Sequence, residues 1–292
     1  MKKDENKVKN LGMIPLWTRE DRAIERAQKN GGRTDLYSFG DAIIDDYCGG
    51  GYGRKDGYEL ICLYGGTGMN KSTFASQMVL SPASRGKKVA YLALEDEIED
   101  VINRMRAQVF QTQGMKSQSV WEIIRKNIDF FPENSGYSLR SMVETIDKLF
   151  NTYDVVLIDP VQFIFELSTV ERGESEFNRQ RVFLNELKAV LSKHEKTLIF
   201  VSHVNKSAYS AIKGENVMGE IQGAGQLSQI ASKVIRIYRD KDGVRTIDLP
   251  KSRFTKDRKT PLVVNLNVNT MRIGFDSSGL TRSQILEMEA NW

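Results

Sequence analysis

The sequence has little cysteine and lacks any long apolar run. Cys48 and Cys62 are its two cysteines among 292 residues, too few and too far apart for a disulfide framework or a metal-ligand set. No apolar stretch approaches the ~20 residues that cross a bilayer. The polar start, MKKDENKVKN, lacks the apolar segment of a secretory signal. These absences predict a reducing, cytoplasmic setting and no membrane partner.

The charge balance is mildly basic. The formal net charge is +4 and the isoelectric point is about 8.9. Such a balance permits a polyanionic partner without demanding one, because a solvated basic surface would give the same numbers. Hydrophobic residues make up 40% and charged residues 27%, as in an ordinary globular protein. The length is near the upper size for one domain and allows a large core.

The first residues differ in composition from the rest. The stretch TREDRAIERAQKN predicts a short helix, which Thr18 can cap and Gly31 ends. Its apolar content is too thin to anchor it firmly on its own domain. It is therefore either a frayed leader or an arm that docks on a neighbouring subunit. We divide the chain into an arm or linker helix, residues 1–35, and a domain, residues 36–292.

Short apolar runs alternate with longer amphipathic segments through most of that domain. The runs ELICLY, KKVAYLAL, DVVLID and TLIFVS predict buried strands, and the segments between several of them predict helices. This alternation is typical of an α/β fold with a mostly parallel sheet and helices on both faces. The runs KVIRIY, VRTIDL and LVVNLNV follow with tight turns between them. They predict antiparallel strands at one edge.

A phosphate-loop pattern follows the first predicted strand. Glycines in such a loop let backbone N–H groups approach phosphates, and the next helix points its positive end at them. The usual pattern has a second glycine directly before the lysine, where this chain has Asn70. Asparagine is the least penalised non-glycine residue in left-handed backbone, so the loop can form. The candidate nucleotide-binding residues are Gly65, Gly66, Thr67, Gly68, Met69, Asn70, Lys71, Ser72 and Thr73.

Polar residues follow the other predicted strands. Because ligands bind beyond the carboxyl ends of parallel strands, we expect these residues to converge on one edge with Lys71 and Ser72. Each alone has an ordinary structural explanation, such as a solvated acid, a turn residue or a surface charge. Together they are the groups needed for phosphoryl transfer from a magnesium nucleotide. They are Glu95, Asp159, His203, Lys251 and Arg253.

Each group has a chemical role in that hypothesis. Lys71 would bind the β- and γ-phosphates of ATP, and Ser72 with Asp159 would hold Mg²⁺. Glu95 would deprotonate the attacking water. His203 would sense the γ-phosphate, and Arg253 would add positive charge in the transition state.

Six segments together resemble a known family. They are GGTGMNKSTF, VAYLALEDE, DVVLIDPVQFI, LIFVSHVNK, GEIQGAGQLSQIASKVIRIYRD and PKSRFTK. They resemble the RecA-fold motor domains of DnaB-like hexameric replicative helicases of the phage type, over roughly Leu36 to Phe275. The resemblance implies a RecA-like P-loop ATPase core that uses Mg-ATP to move along single-stranded DNA. It also implies a homo-oligomeric ring, usually of six subunits, in the cytoplasm of a bacterial host, with primase or other DNA replication proteins as partners.

The resemblance also assigns residues that spacing alone does not. Lys251 and Arg253 would act on the neighbouring subunit's nucleotide, and Arg239 would pack near the nucleotide base. Residues 1–35 would be the arm that links subunits. The central DNA-facing loop and its surroundings would supply Lys206, Lys213, Gln222, Gly223 and Gly225.

The sequence departs from the family pattern in three places. Asn70 replaces a glycine, Gln222 stands where many relatives carry arginine, and about 35 residues are too few for a primase or loader-type domain before the motor. We interpret the loop as a working but slower site. Two other functions stay open. The pattern from Lys251 to Phe254 also occurs in RadA-type recombination ATPases, and a weak site would suit an ATP-gated DNA-binding ring.

Overall fold

A computed structural model describes residues 36–53, 57–111, 116–132, 139–161, 176–203, 230–253 and 260–276. The predicted arm, residues 1–35, lies outside these ranges. All described elements belong to one compact unit, Tyr37–Trp292. The helices are α1 (Ala42–Tyr47), α2 (Lys71–Ser84), α3 (Ile98–Phe110), α4 (Ser117–Ile124), α5 (Leu139–Leu149) and α6 (Glu176–His194). The strands are β1 (Glu59–Gly65), β2 (Val89–Ala93), β3 (Ile128–Pro132), β4 (Val155–Asp159), β5 (Thr197–His203), β6 (Lys233–Arg239), β7 (Arg245–Ser252), β8 (Leu262–Asn267) and β9 (Arg272–Phe275).

The nine strands form one sheet in the order β3-β2-β4-β5-β1-β6-β7-β8-β9. Six of them, from β3 to β6, run parallel, and β7, β8 and β9 add antiparallel pairs at one edge. The predicted fold class is confirmed, since a mostly parallel sheet carries helices on both faces. One detail differs from the expectation: β6 pairs parallel with β1 and is the last strand of the parallel part.

The sheet separates two hydrophobic cores. On β1, Ile61 and Leu63 face one core together with α1, α2, α3 and α4. Leu60, Cys62 and Tyr64 face the other, which α5 and α6 cover. Alternate residues of a strand point to opposite faces, so a strand with helices on both sides must be apolar throughout. All seven residues of β1 are buried, as the continuous run ELICLY predicts.

Several elements were absent from the sequence interpretation. The helix α1 is six residues long, and Asp41 caps it by accepting bonds from the N–H groups of Ile43 and Ile44. Strand β3 buries only its first residue, Ile128, because it is the outermost strand of the parallel part. Short or half-exposed elements give weak periodicity.

Within the described ranges, no helix has both the length and the apolarity to cross a membrane.

A buried ion pair lies at the amino end of the sheet. Glu59, which begins β1, and Lys233, which begins β6, are 1% and 2% exposed. The Lys233 Nζ lies 3.4 Å from Glu59 Oε1 and donates to the Gly51 carbonyl at 2.7 Å. Glu59 Oε2 accepts from the Gly53 N–H at 2.6 Å. The pair thus fastens the glycine-rich loop before β1 to two adjacent central strands.

Removing one member of this pair should destabilise the fold. Glu59→Gln leaves the Lys233 ammonium buried without a carboxylate, and such a loss costs about 3–5 kcal/mol. The exposed pair of Glu122, on α4, and Arg125, directly after α4, is the control, because Glu122→Gln should cost less than about 1 kcal/mol. Urea unfolding compares the two variants. Equal losses of unfolding free energy would contradict a structural role for the buried pair.

Candidate nucleotide site

The phosphate loop connects the carboxyl end of β1 to the start of α2. Asn70, the residue before the helix, has φ 66° and ψ 34°, in the left-handed region that the sequence predicts for it. Gly68 also has a positive φ, 76°. Two left-handed residues within three positions turn the chain sharply, so Lys71 and Ser72 begin the helix directly above the end of the strand.

Gly65 is required for a different reason. It pairs with His203 of β5 on one side and with Ile237 of β6 on the other. A Cβ at this position would lie 2.1 Å from the Ile237 carbonyl oxygen, which is far inside contact distance. The loop therefore starts from a point where two backbones touch. The Gly65 position is set by strand packing as well as by access to phosphate.

Lys71 lies almost buried within the loop. It is 6% exposed, and its Nζ donates to the Gly66 carbonyl at 3.0 Å. Burial lowers the pKa of Lys71, and the carboxylates of Asp159 and Glu95 act in the opposite direction. An ammonium held by neutral acceptors at a loop of N–H donors is well placed to meet a phosphate.

Ser72 and Asp159 form the candidate magnesium pair. The Ser72 hydroxyl donates to Asp159 Oδ1 at 3.2 Å, and the Tyr91 hydroxyl donates to Oδ2 at 3.0 Å. Asp159 is 5% exposed, and burial raises its pKa to about 6, partly offset by these two hydrogen bonds. Hydroxyl and carboxylate oxygens side by side fit Mg²⁺, which prefers one or two protein oxygens completed by phosphate and water. Among the described residues no cluster of three or more histidine, cysteine or acidic side chains offers a fuller metal cage.

His203 connects the loop lysine to Glu95. Its Nδ1 lies 3.4 Å from Lys71 Nζ, and its Nε2 lies 3.5 Å from Glu95 Oε2. An ammonium can only donate, so Nδ1 is the acceptor and Nε2 carries the proton that faces Glu95. Both contacts are long, which leaves room for adjustment around a ligand. The Glu95 side chain is 51% exposed, so water can reach it.

Two supporting residues have no sequence signal. Tyr91 lies inside β2, where every residue is buried. The apolar pattern of this strand therefore does not distinguish a tyrosine that hydrogen-bonds to the site from an ordinary core residue. Arg104 of α3 donates to Asp96 Oδ2 at 2.8 Å and lies 3.5 Å from the Ser76 hydroxyl. The Asp96 charge raises the pKa of Asp159 and the Arg104 charge lowers it, both less than burial does.

The other flank of the loop carries two arginines. Arg239 and Arg245 face each other across the β6–β7 hairpin. The Arg245 Nη2 donates to Asn70 Oδ1 at 2.7 Å, and Asn70 makes no cap hydrogen bond to its own helix. Arg239 Nη1 donates to the Gly243 carbonyl within the hairpin turn at 2.7 Å. Arg239 therefore lies at the same end of the sheet as the loop.

Lys251 and Arg253 do not join the site of their own chain, and the expectation that they converge there is wrong. The β7 strand runs antiparallel to β6, so its last residues lie at the amino end of the sheet. Lys251 pairs with Val234, which pairs with Cys62, three residues before Gly65. At ~3.3 Å per residue this is about 10 Å along the strand direction. The expectation assumed that these residues follow a parallel strand. The tight turn between β6 and β7 reverses the chain, so they follow an antiparallel one.

The predicted DNA-contacting residues lie outside the described ranges. They are Lys206, Lys213, Gln222, Gly223 and Gly225. Their role stays a prediction.

The remaining predicted residues of the phosphate loop lie where the loop path places them. Thr73 is buried, and its carbonyl accepts from the Gln108 side chain at 3.0 Å. Met69 packs partly against the core on the α2 side of the sheet.

Most of this domain matches one protein family. Residues 40–277 match the family described as ATPase: KaiC. The chain belongs to this family. The match contains every described site element, from the phosphate loop to the β6–β7 hairpin, and it confirms the predicted RecA-like ATPase fold.

Two curated proteins show more distant similarity to this KaiC-family ATPase domain. The DNA helicase/primase of Enterobacteria phage T3 is 24% identical over 226 residues, which cover 69% of this chain and 39% of that protein. The DNA repair protein RadA of Chlamydia trachomatis serovar D is 26% identical over 222 residues, which cover 76% and 42%. The chain thus spans about two fifths of the length of each.

Solved structures share the fold. The ATPase domain of G40P superposes with a TM-score of 0.65 at 15% identity, covering 88% of this chain and 98% of that domain. A KaiC-like protein of the hyperthermophilic archaeon Pyrococcus horikoshii OT3 gives a TM-score of 0.58 at 19% identity, covering 82% and 97%. Together with the phage helicase/primase, these matches confirm the resemblance to RecA-fold helicase motor domains.

Two glycines of the KaiC-family loop should respond differently to alanine. Gly65→Ala drives Cβ into the Ile237 carbonyl, so the strands must separate; we expect a loss of about 3 kcal/mol, the upper end of the usual cost of overpacking. Gly68→Ala meets open space and adds only left-handed strain, about 1–2 kcal/mol. Thermal unfolding measures both. A smaller loss for Gly65→Ala than for Gly68→Ala would contradict the close β1–β6 contact.

Proposed function

We propose that this domain is the motor of a ring-shaped DNA helicase that hydrolyses Mg-ATP at subunit interfaces and moves along single-stranded DNA. The observation that supports this most is the division of its charged groups between the two ends of the sheet. Lys71, Ser72 with Asp159, and Glu95 with His203 surround the phosphate loop at the carboxyl end. Lys251 and Arg253 lie toward the amino end. An arginine finger is an arginine that stabilises the transition state of phosphoryl transfer. One that lies too far from the phosphate loop of its own chain suits a site that a neighbouring subunit completes.

The residues of the carboxyl end supply most of a phosphoryl-transfer site. Loop N–H groups and Lys71 would bind the phosphates, and Ser72 and Asp159 would hold Mg²⁺, which when bound adds positive charge at the phosphate oxygens. Glu95, exposed to water, would accept the proton of the attacking molecule. The His203 Nε2–H faces Glu95 and its Nδ1 faces Lys71. Loss of the terminal phosphate would therefore change the contacts of His203 at the carboxyl end of β5.

Asn70 does not argue for an inactive site. It occupies the left-handed conformation that a glycine would provide, so the loop backbone keeps its shape. The lysine, hydroxyl and both carboxylates remain in place around it. A working site, somewhat slowed by the extra side chain, is the function that this geometry supports.

A recombination or repair ATPase is the second candidate. The similarity to RadA of Chlamydia trachomatis favours it, since its identity and coverage of this chain, 26% and 76%, are no lower than the 24% and 69% of the phage helicase/primase. Displacement of a labelled strand from forked DNA with ATP distinguishes the two, because a helicase separates the strands and a strand-exchange ATPase requires a homologous partner. An ATP-gated ring with weak hydrolysis would bind single-stranded DNA and separate nothing.

Glu95→Gln should separate nucleotide binding from turnover. The substitution removes the base and leaves the phosphate contacts, so ATP affinity should stay within about twofold while turnover falls about 100-fold or more. Lys71→Ala should lose binding itself. Glu99→Gln, an exposed acid on α3, is the matched control and should keep full turnover. ATPase assays with nucleotide titrations measure all three, and normal turnover by Glu95→Gln would remove Glu95 from its role.

Mixed assemblies should reveal action across subunits. Arg253→Ala should bind ATP yet hydrolyse it about 1,000-fold more slowly, since fingers supplied in trans have effects of this size. Mixing it with Lys71→Ala protein should restore activity, because hybrid interfaces pair an intact loop with an intact finger. Mixing Glu95→Gln with Lys71→Ala is the control. In that mixture each variant carries its defect in its own phosphate-loop site. Every site is therefore damaged, and mixing should restore no activity. Absence of rescue in the first mixture would contradict the interface model.

A further inference from the structure

Arg245 is a charged residue beside the phosphate loop that no motif marks. It begins β7 and lies across the hairpin from Arg239. Its Nη2 donates to the Asn70 side-chain oxygen at 2.7 Å, a hydrogen bond that joins the hairpin to the loop. The two residues are 175 positions apart in the sequence. Two strands away from β1, the hairpin thus reaches over β6 to the loop.

The charge of Arg245 has no acidic counterpart in the part of the chain that the structure describes. Its hydrogen bond goes to a neutral amide, and the charge that acts on it most is another cation, Arg239. Its Nε is buried without a hydrogen-bond partner among the described residues. A half-buried guanidinium without a carboxylate is costly, and an anion placed beside it removes that cost.

Asn70 explains how the guanidinium is held there. Glycine, which the usual loop pattern has at this place, offers no side-chain acceptor. The asparagine keeps the left-handed backbone and adds an amide oxygen, which bonds to Arg245 and not to the N–H groups of α2. The unusual loop residue and the unassigned arginine therefore act as one unit.

The position of Arg245 limits which part of a nucleotide it can contact. The groups for the terminal phosphate, Ser72 with Asp159 and His203, belong to the β4 and β5 side of β1. Arg245 belongs to the β6 and β7 side. A nucleotide with its terminal phosphate on the first side must extend its remaining part toward the second.

We propose that Arg245, held by Asn70, is a nucleotide-binding residue that contacts the nucleoside diphosphate part of the ligand, the part that ATP and ADP share. This inference rests on the proposed function, since it assumes that the loop binds a nucleotide. Interactions made equally in the ground and transition states change KM and leave kcat unaltered. Arg245 therefore tightens binding and does not take part in the chemical step.

Arg245→Gln tests the charge while keeping a donor for Asn70. Affinities for ADP and for a non-hydrolysable ATP analogue, each with Mg²⁺, are measured by calorimetry. We expect both to fall by about tenfold, a modest value for one charge-assisted bond at a half-exposed site, with KM rising to match and kcat within about twofold. Lys241→Gln removes a charge from the exposed turn of the same hairpin and should alter neither affinity.

Asn70→Gly tests the anchor. It keeps the backbone conformation and removes the acceptor, so ADP affinity should fall by about threefold to tenfold. In the double variant with Arg245→Gln the loss should be no larger than for Arg245→Gln alone, because the two residues act through one contact. Additive losses would show that Asn70 acts on phosphate without Arg245 and would overturn the coupling.

Other outcomes overturn the assignment directly. Unchanged ADP affinity in Arg245→Gln removes Arg245 from binding, and a fall in kcat with ADP affinity intact places it at the terminal phosphate. An equal loss in Lys241→Gln shows only a diffuse charge effect. If the unmodified protein binds no nucleotide, the proposed function fails; if it binds ADP and Arg245→Gln binds equally well, only this inference fails.

A measurement on the unmodified protein covers the case in which Arg245→Gln fails to fold. The buried Nε–H of Arg245 gives an arginine side-chain resonance in ¹⁵N NMR spectra, which the conservative Arg245→Lys variant assigns by its loss. Saturating ADP with Mg²⁺ should shift this resonance. A signal that ADP leaves in place would overturn the proposal.

Discussion

The contact between β1 and β6 at Gly65 is the constraint on which the site depends. The Ile237 carbonyl occupies the space of a Cβ, so the central strand ends in direct backbone contact with its neighbour. The phosphate loop leaves from this point and must turn through two left-handed residues to start α2. Its two flanks are thereby fixed: β2, β4 and β5 bring two acids and a histidine, and the β6–β7 hairpin brings arginines.

The site holds charged groups that are costly to bury. Lys71 and Asp159 are both nearly buried, and burial shifts the pKa of each toward its neutral form. Neutral donors and acceptors hold them: the Gly66 carbonyl, the Ser72 hydroxyl and the Tyr91 hydroxyl. A magnesium nucleotide would supply the opposite charges. Ligand binding and stability of this end of the sheet are therefore expected to be linked, as for any ligand that binds only the folded chain.

The reversal of the chain at the β6–β7 turn has two consequences. It brings Arg245, the first residue of β7, to the phosphate loop, and it carries Lys251 and Arg253 toward the other end of the sheet. A single hairpin thus connects the phosphate loop of its own chain with the residues that we propose act on a neighbour. In the proposed assembly this connection would offer a short physical route between adjacent sites, through one pair of strands.

The sequence by itself determined four of the six parallel strands, β1, β2, β4 and β5, together with the phosphate loop and the polar residues that follow those strands. Strands buried on both faces must be apolar throughout, and ligand-binding groups must follow them. The left-handed turn at Asn70 was also predictable, because few other side chains tolerate it. Only the tertiary structure decided that β6 joins the parallel part, that β7 carries Lys251 and Arg253 away from the loop, and that Arg245 meets Asn70. Strand direction and order depend on which backbones pair, and a contact between residues 175 positions apart leaves no local pattern in the chain.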